Sequence, residues 1–178
     1  MAIIYLVEGP VGAGKSTFSE DLSRKINAPH LNLDFWMANL FGADRPSIGV
    51  LEWYVERKTR CIEQIWDTAL QILNSDCDVI LELGMVQSKS RLAMYERIKT
   101  SGYRFLVYVL DASRAERKER VRLRNIEKGR TYSMDVPDEI FEIASDMWEE
   151  PDSIEFEEQN IIFVSRTAAN KAWHRINQ

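Results

Sequence analysis

Apolar residues gather in short unbroken runs separated by longer stretches of mixed polarity. The first run, Ala2-Ile3-Ile4-Tyr5-Leu6-Val7, is closed by Glu8 and a glycine. Two more follow at Val79-Ile80-Leu81, after Asp78, and at Phe105-Leu106-Val107-Tyr108-Val109-Leu110. A fourth, Ile161-Ile162-Phe163-Val164, lies near the end, and His30-Leu31-Asn32-Leu33 is a weaker fifth. Runs without polar alternation predict strands covered on both faces, as in a parallel sheet. The stretches between them, at about 15–27, 50–74, 88–100, 113–127, 136–149 and 167–176, read as helices. Strands alternating with helices imply right-handed crossovers, so the expected class is α/β with three layers.

Composition narrows the picture. The 178 residues are 45% hydrophobic and 29% charged, enough for one sizeable core and a single domain. Five prolines and eight glycines exclude a low-complexity chain. A net charge of −5 argues against nonspecific nucleic-acid binding and against a basic membrane-surface protein. No apolar run approaches the roughly 18 residues of a membrane span. The start MAIIYLVEG lacks the basic region of a signal peptide. Cys61 and Cys77 read as reduced thiols, so the expected location is cytoplasmic.

The chemistry starts at Gly9-Pro10-Val11-Gly12-Ala13-Gly14-Lys15-Ser16, which matches G-x-x-x-x-G-K-[ST], with Thr17 following. Glycines there let backbone N–H groups converge on phosphate oxygens with no Cβ in the way. A helix opening at about Lys15 turns the positive end of its dipole toward the same phosphates. Lys15 would reach the β- and γ-phosphates and Ser16 would hold Mg²⁺. A buried strand directly before the motif and an amphipathic helix directly after it are the context such a loop needs. ATP and Mg²⁺ are therefore the expected cofactors.

With this loop the sequence resembles the small P-loop kinases of the nucleoside-monophosphate-kinase-like branch. It is similar especially to the zeta-toxin and chloramphenicol-phosphotransferase relatives often described as AAA-domain ATP-binding proteins. Looser motifs add to it: Leu33-Asp34 after the second strand, Ile80-Leu81-Glu82 ending the third, and Glu119-Arg120-Val121-Arg122-Leu123-Arg124-Asn125 on a late helix. The resemblance implies a P-loop fold of about five parallel strands with helices on both faces, acceptor-side helices at about 35–75 and a small lid at about 120–137. It also implies phosphoryl transfer from ATP to a small acceptor.

Each candidate has a plain reading beside the functional one. Asp34, at the carboxyl edge where open sheets place ligands, would orient the acceptor hydroxyl or accept its proton, or else cap a helix starting near Phe35. Glu82 would stand on the metal side with Ser16, although an aspartate is usual there. Asp111 competes, but Asp111-Ala112-Ser113 looks like a capping segment, so Glu82 is favoured. Arg120 and Arg124, four apart on one helix face, would close over the phosphates, with Arg130 near and Gly129 as hinge. Otherwise they are surface partners of Glu116, Glu119 and Glu127. Arg91 would contact the acceptor or the γ-phosphate, or be an ordinary exposed helix arginine. Phe35, Trp36, Phe41, Trp53 and Tyr54 would stack on an acceptor, with Trp36 the substrate candidate, or else belong to the core. His30 and His174 receive no role. Basic residues crowd 114–130, and 135–158 holds eleven acidic residues, which reads first as solvated helix faces.

The leading expectation is an ATP- and Mg²⁺-dependent kinase acting on a hydroxyl of a small molecule. A nucleoside, nucleotide or polynucleotide 5′-end as acceptor is the alternative within the class. Outside it stands a nucleotide-dependent switch that hydrolyses slowly without an acceptor.

Overall fold

The computed structural model describes residues 2–166 and 173–175. Six strands form one sheet in the order β2-β3-β1-β4-β5-β6. Strands β1 (Ile3–Glu8), β2 (His30–Asn32), β3 (Val79–Glu82), β4 (Arg104–Leu110) and β5 (Ile161–Arg166) run parallel. The sixth, β6 (Trp173–Arg175), pairs antiparallel with β5. The helices are α1 (Lys15–Ile26), α2 (Leu33–Phe41), α3 (Val50–Asn74), α4 (Ser88–Ser101), α5 (Arg114–Glu127), α6 (Asp138–Asp146) and α7 (Ser153–Glu158), with a short 3₁₀ turn at Gly42–Asp44. No helix among the described residues is long and apolar enough to cross a membrane.

The central strands carry apolar residues on both sides because both faces are covered. Ile4, Leu6, Val79 and Leu81 pack with Met37, Cys61, Ile65, Ala69, Met94 and Ile98 of α2, α3 and α4. Val7, Ile80, Leu110 and Val164 point the other way, onto Phe18 and Leu22 of α1. Each fully buried aliphatic side chain contributes about 1.5–3 kcal/mol, so the two-sided core supplies most of what holds the sheet.

The five parallel strands and the helices at 50–74, 88–100 and 113–127 lie where the sequence pattern puts them. Three segments differ. Leu33 belongs to a helix, because Asn32 caps α2 by accepting from Phe35 N at 2.9 Å. The helix expected at 136–149 ends at Asp146, where the chain leaves so that Glu149 N donates to the Val86 carbonyl at 2.9 Å; α7 follows as a separate helix. At the end of the chain, 173–175 is a strand where a helix was expected over 167–176. Its backbone occupies the β5 edge, an open row of donors and acceptors that pairing satisfies. The rest of that expected helix, 167–172 and 176, lies outside the described residues.

The uneven charge pattern resolves into pairing between helices. Arg114 on α5 meets Asp146 at 2.7 Å and Lys118 meets Glu142 at 2.8 Å, both on α6. These contacts are exposed and worth little singly, yet they set α6 beside α5.

Beneath the first strand lies a buried polar cluster. Glu8, the last residue of β1, accepts from Tyr95 Oη of α4 at 2.8 Å. Arg91, also on α4, donates to both oxygens of Glu155 on α7 at 2.6 and 2.9 Å and stands 3.7 Å from Glu8. Its guanidinium also lies over the Trp148 ring, 5.1 Å from the centroid. Burial pushes the Glu8 carboxyl up to about 8, with Glu155 adding to the rise and Tyr95 and Arg91 opposing it.

Two outcomes follow from this packing. Ile65→Ala keeps helix propensity but opens a void at a fully buried site, and should cost about 2–5 kcal/mol in urea-unfolding free energy. Folded Glu8 holds its proton up to about pH 8, whereas the unfolded chain loses it near 4.5, so the native state binds the extra proton in between. Stability should therefore fall as pH rises through that window. Urea unfolding at about pH 5.5 and 8.5 should show the loss in the wild type and a flatter profile in Glu8→Gln.

Candidate functional site

The turn between β1 and α1 holds Gly9, Pro10, Val11, Gly12, Ala13 and Gly14, and Lys15, Ser16 and Thr17 form the first turn of α1. Two glycines allow this placement. At Gly9, with φ of 139°, a Cβ would sit 2.4 Å from the Leu110 carbonyl oxygen at the end of β4. At Gly12, with φ of 77°, it would sit 2.5 Å from the Arg117 carbonyl oxygen on α5. The loop is thus wedged between the carboxyl end of the sheet and α5. Gly14, the N-cap of α1, offers no side chain to the helix's first N–H groups, leaving them for an anion.

Side chains from α5 and α1 finish the loop. Arg117 donates to Val11 O at 2.9 Å and to Ser145 Oγ at 3.0 Å. Arg120 donates to Ala13 O at 3.3 Å. Lys15 Nζ folds back onto Gly9 O at 2.9 Å and Pro10 O at 3.0 Å, and burial holds its pKa below the ordinary lysine value.

The second centre is Glu82, buried at the end of β3. It accepts from Ser16 Oγ at 2.8 Å and from Asn32 Nδ2 at 2.9 Å, and His30 Nε2 lies 3.0 Å away. Parallel pairing explains the convergence: Asn32 is the register partner of Glu82, and His30 stands two residues back on the same strand. A carboxylate oxygen only accepts, so the His30 tautomer that bonds to one carries its hydrogen on Nε2. Asp111 takes no part in this cluster; its Oδ1 accepts from Ala112 N at 2.7 Å at the entry to α5. Ser113 and Glu116 form the cap of that helix, as the capping segment predicts.

Asp34 stands in the first turn of α2. Asn32 takes the capping role, so Asp34 is not the cap of α2. Its side chain is open to solvent, yet protein surrounds it on most sides, and this desolvation is the main influence raising its pKa. Glu82 adds to the rise, and Lys15, Lys58 and Arg124 oppose it. Among the described residues its carboxylate accepts no hydrogen bond and closes no ion pair. Arg124, half-buried on α5, has an Nε buried without a partner. Tyr54 on α3 feels the same acid; burial first, then Asp34, holds its hydroxyl well above the ordinary tyrosine value.

Several expected residues lie elsewhere. Arg91 is wholly enclosed and doubly bonded to Glu155, so its guanidinium is neither an exposed helix charge nor in contact with the loop cluster. Arg130 pairs with Glu20 of α1. Gly129 does not take a left-handed conformation; Lys128 does, with φ of 45°, and Asn125 ties the following loop down through Val136 O at 2.8 Å. Trp36, Phe41, Trp53 and Tyr54 pack half-buried against the core, while Phe35 is 59% exposed. The residues that sequence reasoning left without a role are His30, Asn32 and Lys58. Strand alternation at 30 and 32 was the available signal for the first two.

A family model described as an AAA domain matches residues 4–151. A search of curated proteins finds no match. Among solved structures, Kti12 of Chaetomium thermophilum in complex with ADP-AlF3 aligns at TM-score 0.65 with 13% identity, covering 94% of this chain and 93% of that one. A gluconokinase from Sinorhizobium meliloti 1021 aligns at 0.59 with 16% identity over 94% and 85%. Deoxyadenosine kinase from M. mycoides, with products dCMP and a flexible dCDP bound, aligns at 0.53 with 15% identity over 91% and 90%. These likenesses establish the P-loop α/β fold.

Gly12→Ala puts a methyl group against the α5 backbone at a positive φ. It should lower stability by about 1–3 kcal/mol and weaken nucleotide binding, read by thermal unfolding and by calorimetric titration with ATP.

Proposed function

The chain belongs to the AAA-domain family, and from that premise we propose that it is an ATP- and Mg²⁺-dependent kinase. It would transfer the γ-phosphoryl group to a hydroxyl of a small molecule. The observation that carries this reading is Asp34: an acid in the first turn of α2, without a hydrogen-bond partner among the described residues, that lies in the electrostatic field of Glu82, Lys15 and Arg124. In an acceptor kinase such an acid orients the attacking hydroxyl and accepts its proton.

The residues present fit the groups this chemistry requires. The uncapped start of α1 and the loop N–H groups from Gly9 to Thr17 suit a polyphosphate. Ser16 and Glu82 supply the hard oxygens that Mg²⁺ prefers, and one or two protein groups suffice because phosphate oxygens and waters complete its shell. Bound there, Mg²⁺ supplies neutralisation of phosphate charge. Lys15 turns from the loop carbonyls to the phosphates, and Arg124 with Arg120 brings cationic charge from α5. Helices α2 and α3 form the acceptor side, and α5 with the loop to 137 forms the lid.

Asp34 orients the acceptor hydroxyl. The hydroxyl oxygen forms the new O–P bond, and the bond from the γ-phosphorus to the β–γ bridging oxygen breaks. ADP leaves, and the hydroxyl proton passes to the Asp34 carboxylate. An acid whose pKa is already raised is suited to take that proton.

Asp34→Asn should leave ATP affinity unchanged within about threefold and lower acceptor-stimulated ADP release by about 100- to 10,000-fold. The measurement is ADP release with and without pooled hydroxyl-bearing metabolites, nucleosides and antibiotics, beside calorimetric ATP binding. Full acceptor-stimulated turnover in the variant would remove Asp34 from the chemistry.

A further inference from the structure

Lys58 has no task in the reaction as drawn. It stands on α3 about two turns after Gly49, half-buried, and reaches the chain two residues past Glu82, at the carboxyl end of β3. An ammonium has three hydrogens to donate. Lys58 Nζ makes one long contact, 3.4 Å to the Gly84 carbonyl oxygen just past β3, and lies within 4.0 Å of no carboxylate among the described residues. Its neighbour Arg57 is differently placed, over the Trp53 ring at 4.9 Å and the Phe41 ring at 5.8 Å. Burial disfavours the Lys58 charge and the field of Asp34 favours it.

Lys58 also ends an open groove of about 230 Å³ between α3 and α4, lined by Ile62, Met85, Ser90, Met94 and Arg97. Arg97 is already committed, donating to both oxygens of Glu63 at 2.6 and 2.7 Å. Lys58 is therefore the cation of this groove that lacks an anion among the described residues. The phosphate side of the cleft has its own cations in Lys15, Arg120 and Arg124. A partly desolvated lysine with one weak contact gains most from an anionic ligand, because charge-assisted bonds replace the hydration it has lost.

On the kinase reading above, we propose that Lys58 binds an anionic group of the acceptor, so that the substrate is a small hydroxyl-bearing carboxylate or phosphate. Asp34 takes the hydroxyl and Lys58 takes the anion, and two contacts of opposite sign fix which way round the acceptor lies. A neutral alcohol of the same shape leaves Lys58 unmatched and binds worse. A lysine, unlike an arginine fork, imposes no planar bidentate geometry, so either anion is compatible and the two are separated by experiment.

The test is ADP release with matched pairs: nucleosides against their 5′-monophosphates, and sugars against the corresponding sugar acids. In one arm the anionic member should exceed its neutral partner in kcat/KM by about tenfold or more. For that acceptor, Lys58→Gln should raise KM about tenfold while kcat stays within about threefold and KM for ATP is unchanged. Lys58→Arg keeps the charge and should recover most of the loss, and a wild-type-like thermal transition in both variants excludes misfolding. Equal use of neutral members, or an unaltered acceptor KM in Lys58→Gln, overturns the assignment and leaves the kinase intact. Release that no pair stimulates, equal in wild type and Asp34→Asn, overturns the kinase reading and the assignment with it.

Discussion

Backbone meets backbone at the start and in the middle of the phosphate loop, and the site depends on that closeness. Gly9 lies against the last carbonyl of β4 and Gly12 against a carbonyl in α5, each at a separation that no Cβ tolerates. With those two contacts made, the loop has little freedom of position. The strand behind it is held by parallel pairing with β4 from Ile3 to Glu8, and Arg117 anchors it from the α5 side through Val11. The start of α1, with Lys15 and Ser16, follows from that fixed turn. A phosphate cradle must be rigid before its ligand arrives, since donors that reorganise on binding lose much of their electrostatic advantage.

Glu82 gathers what the loop alone does not. A carboxylate buried at the end of a strand needs several donors, and three come from two different elements: Ser16 from α1, and His30 and Asn32 from β2. The arrangement also ties the edge strand β2, only three residues long, to the centre of the sheet. Asn32 serves twice, holding Glu82 with its amide nitrogen and capping α2 with its oxygen. With that second bond made, Asp34, two residues on, is not needed as the cap of the helix.

How much was legible in the sequence varied with the range of the contact. The phosphate loop was plain because glycine spacing, lysine and hydroxyl are all local. The long helix α3 was plain because 25 residues of periodic burial leave few alternatives. The pairing of Glu82 with Ser16 was legible in outline, since an acid after a buried strand reaches the same sheet edge as the loop. His30 gave only its alternation with Asn32 as a local sign, because its role depends on the register between β2 and β3. Arg91 was misjudged for a similar reason. Its burial depends on Glu155, 64 residues away, on a short helix that the sequence pattern did not predict. The short β6 was missed because what makes it a strand is the open edge of β5, not its own residues.

The polar cluster under β1 sets an order of assembly. Tyr95 and Glu8 are 87 residues apart, and Arg91 waits on Glu155 from later still. During synthesis the strand that carries the phosphate loop emerges well before α4 and α7, yet its buried acid and the arginine beneath it acquire their full set of partners only after α7 has left the ribosome. Until then the nascent chain carries an arginine that cannot be enclosed without a counter-ion, so closure of this half of the sheet is postponed. The half of the sheet that carries the cradle is thus completed only once the chain through α7 is made.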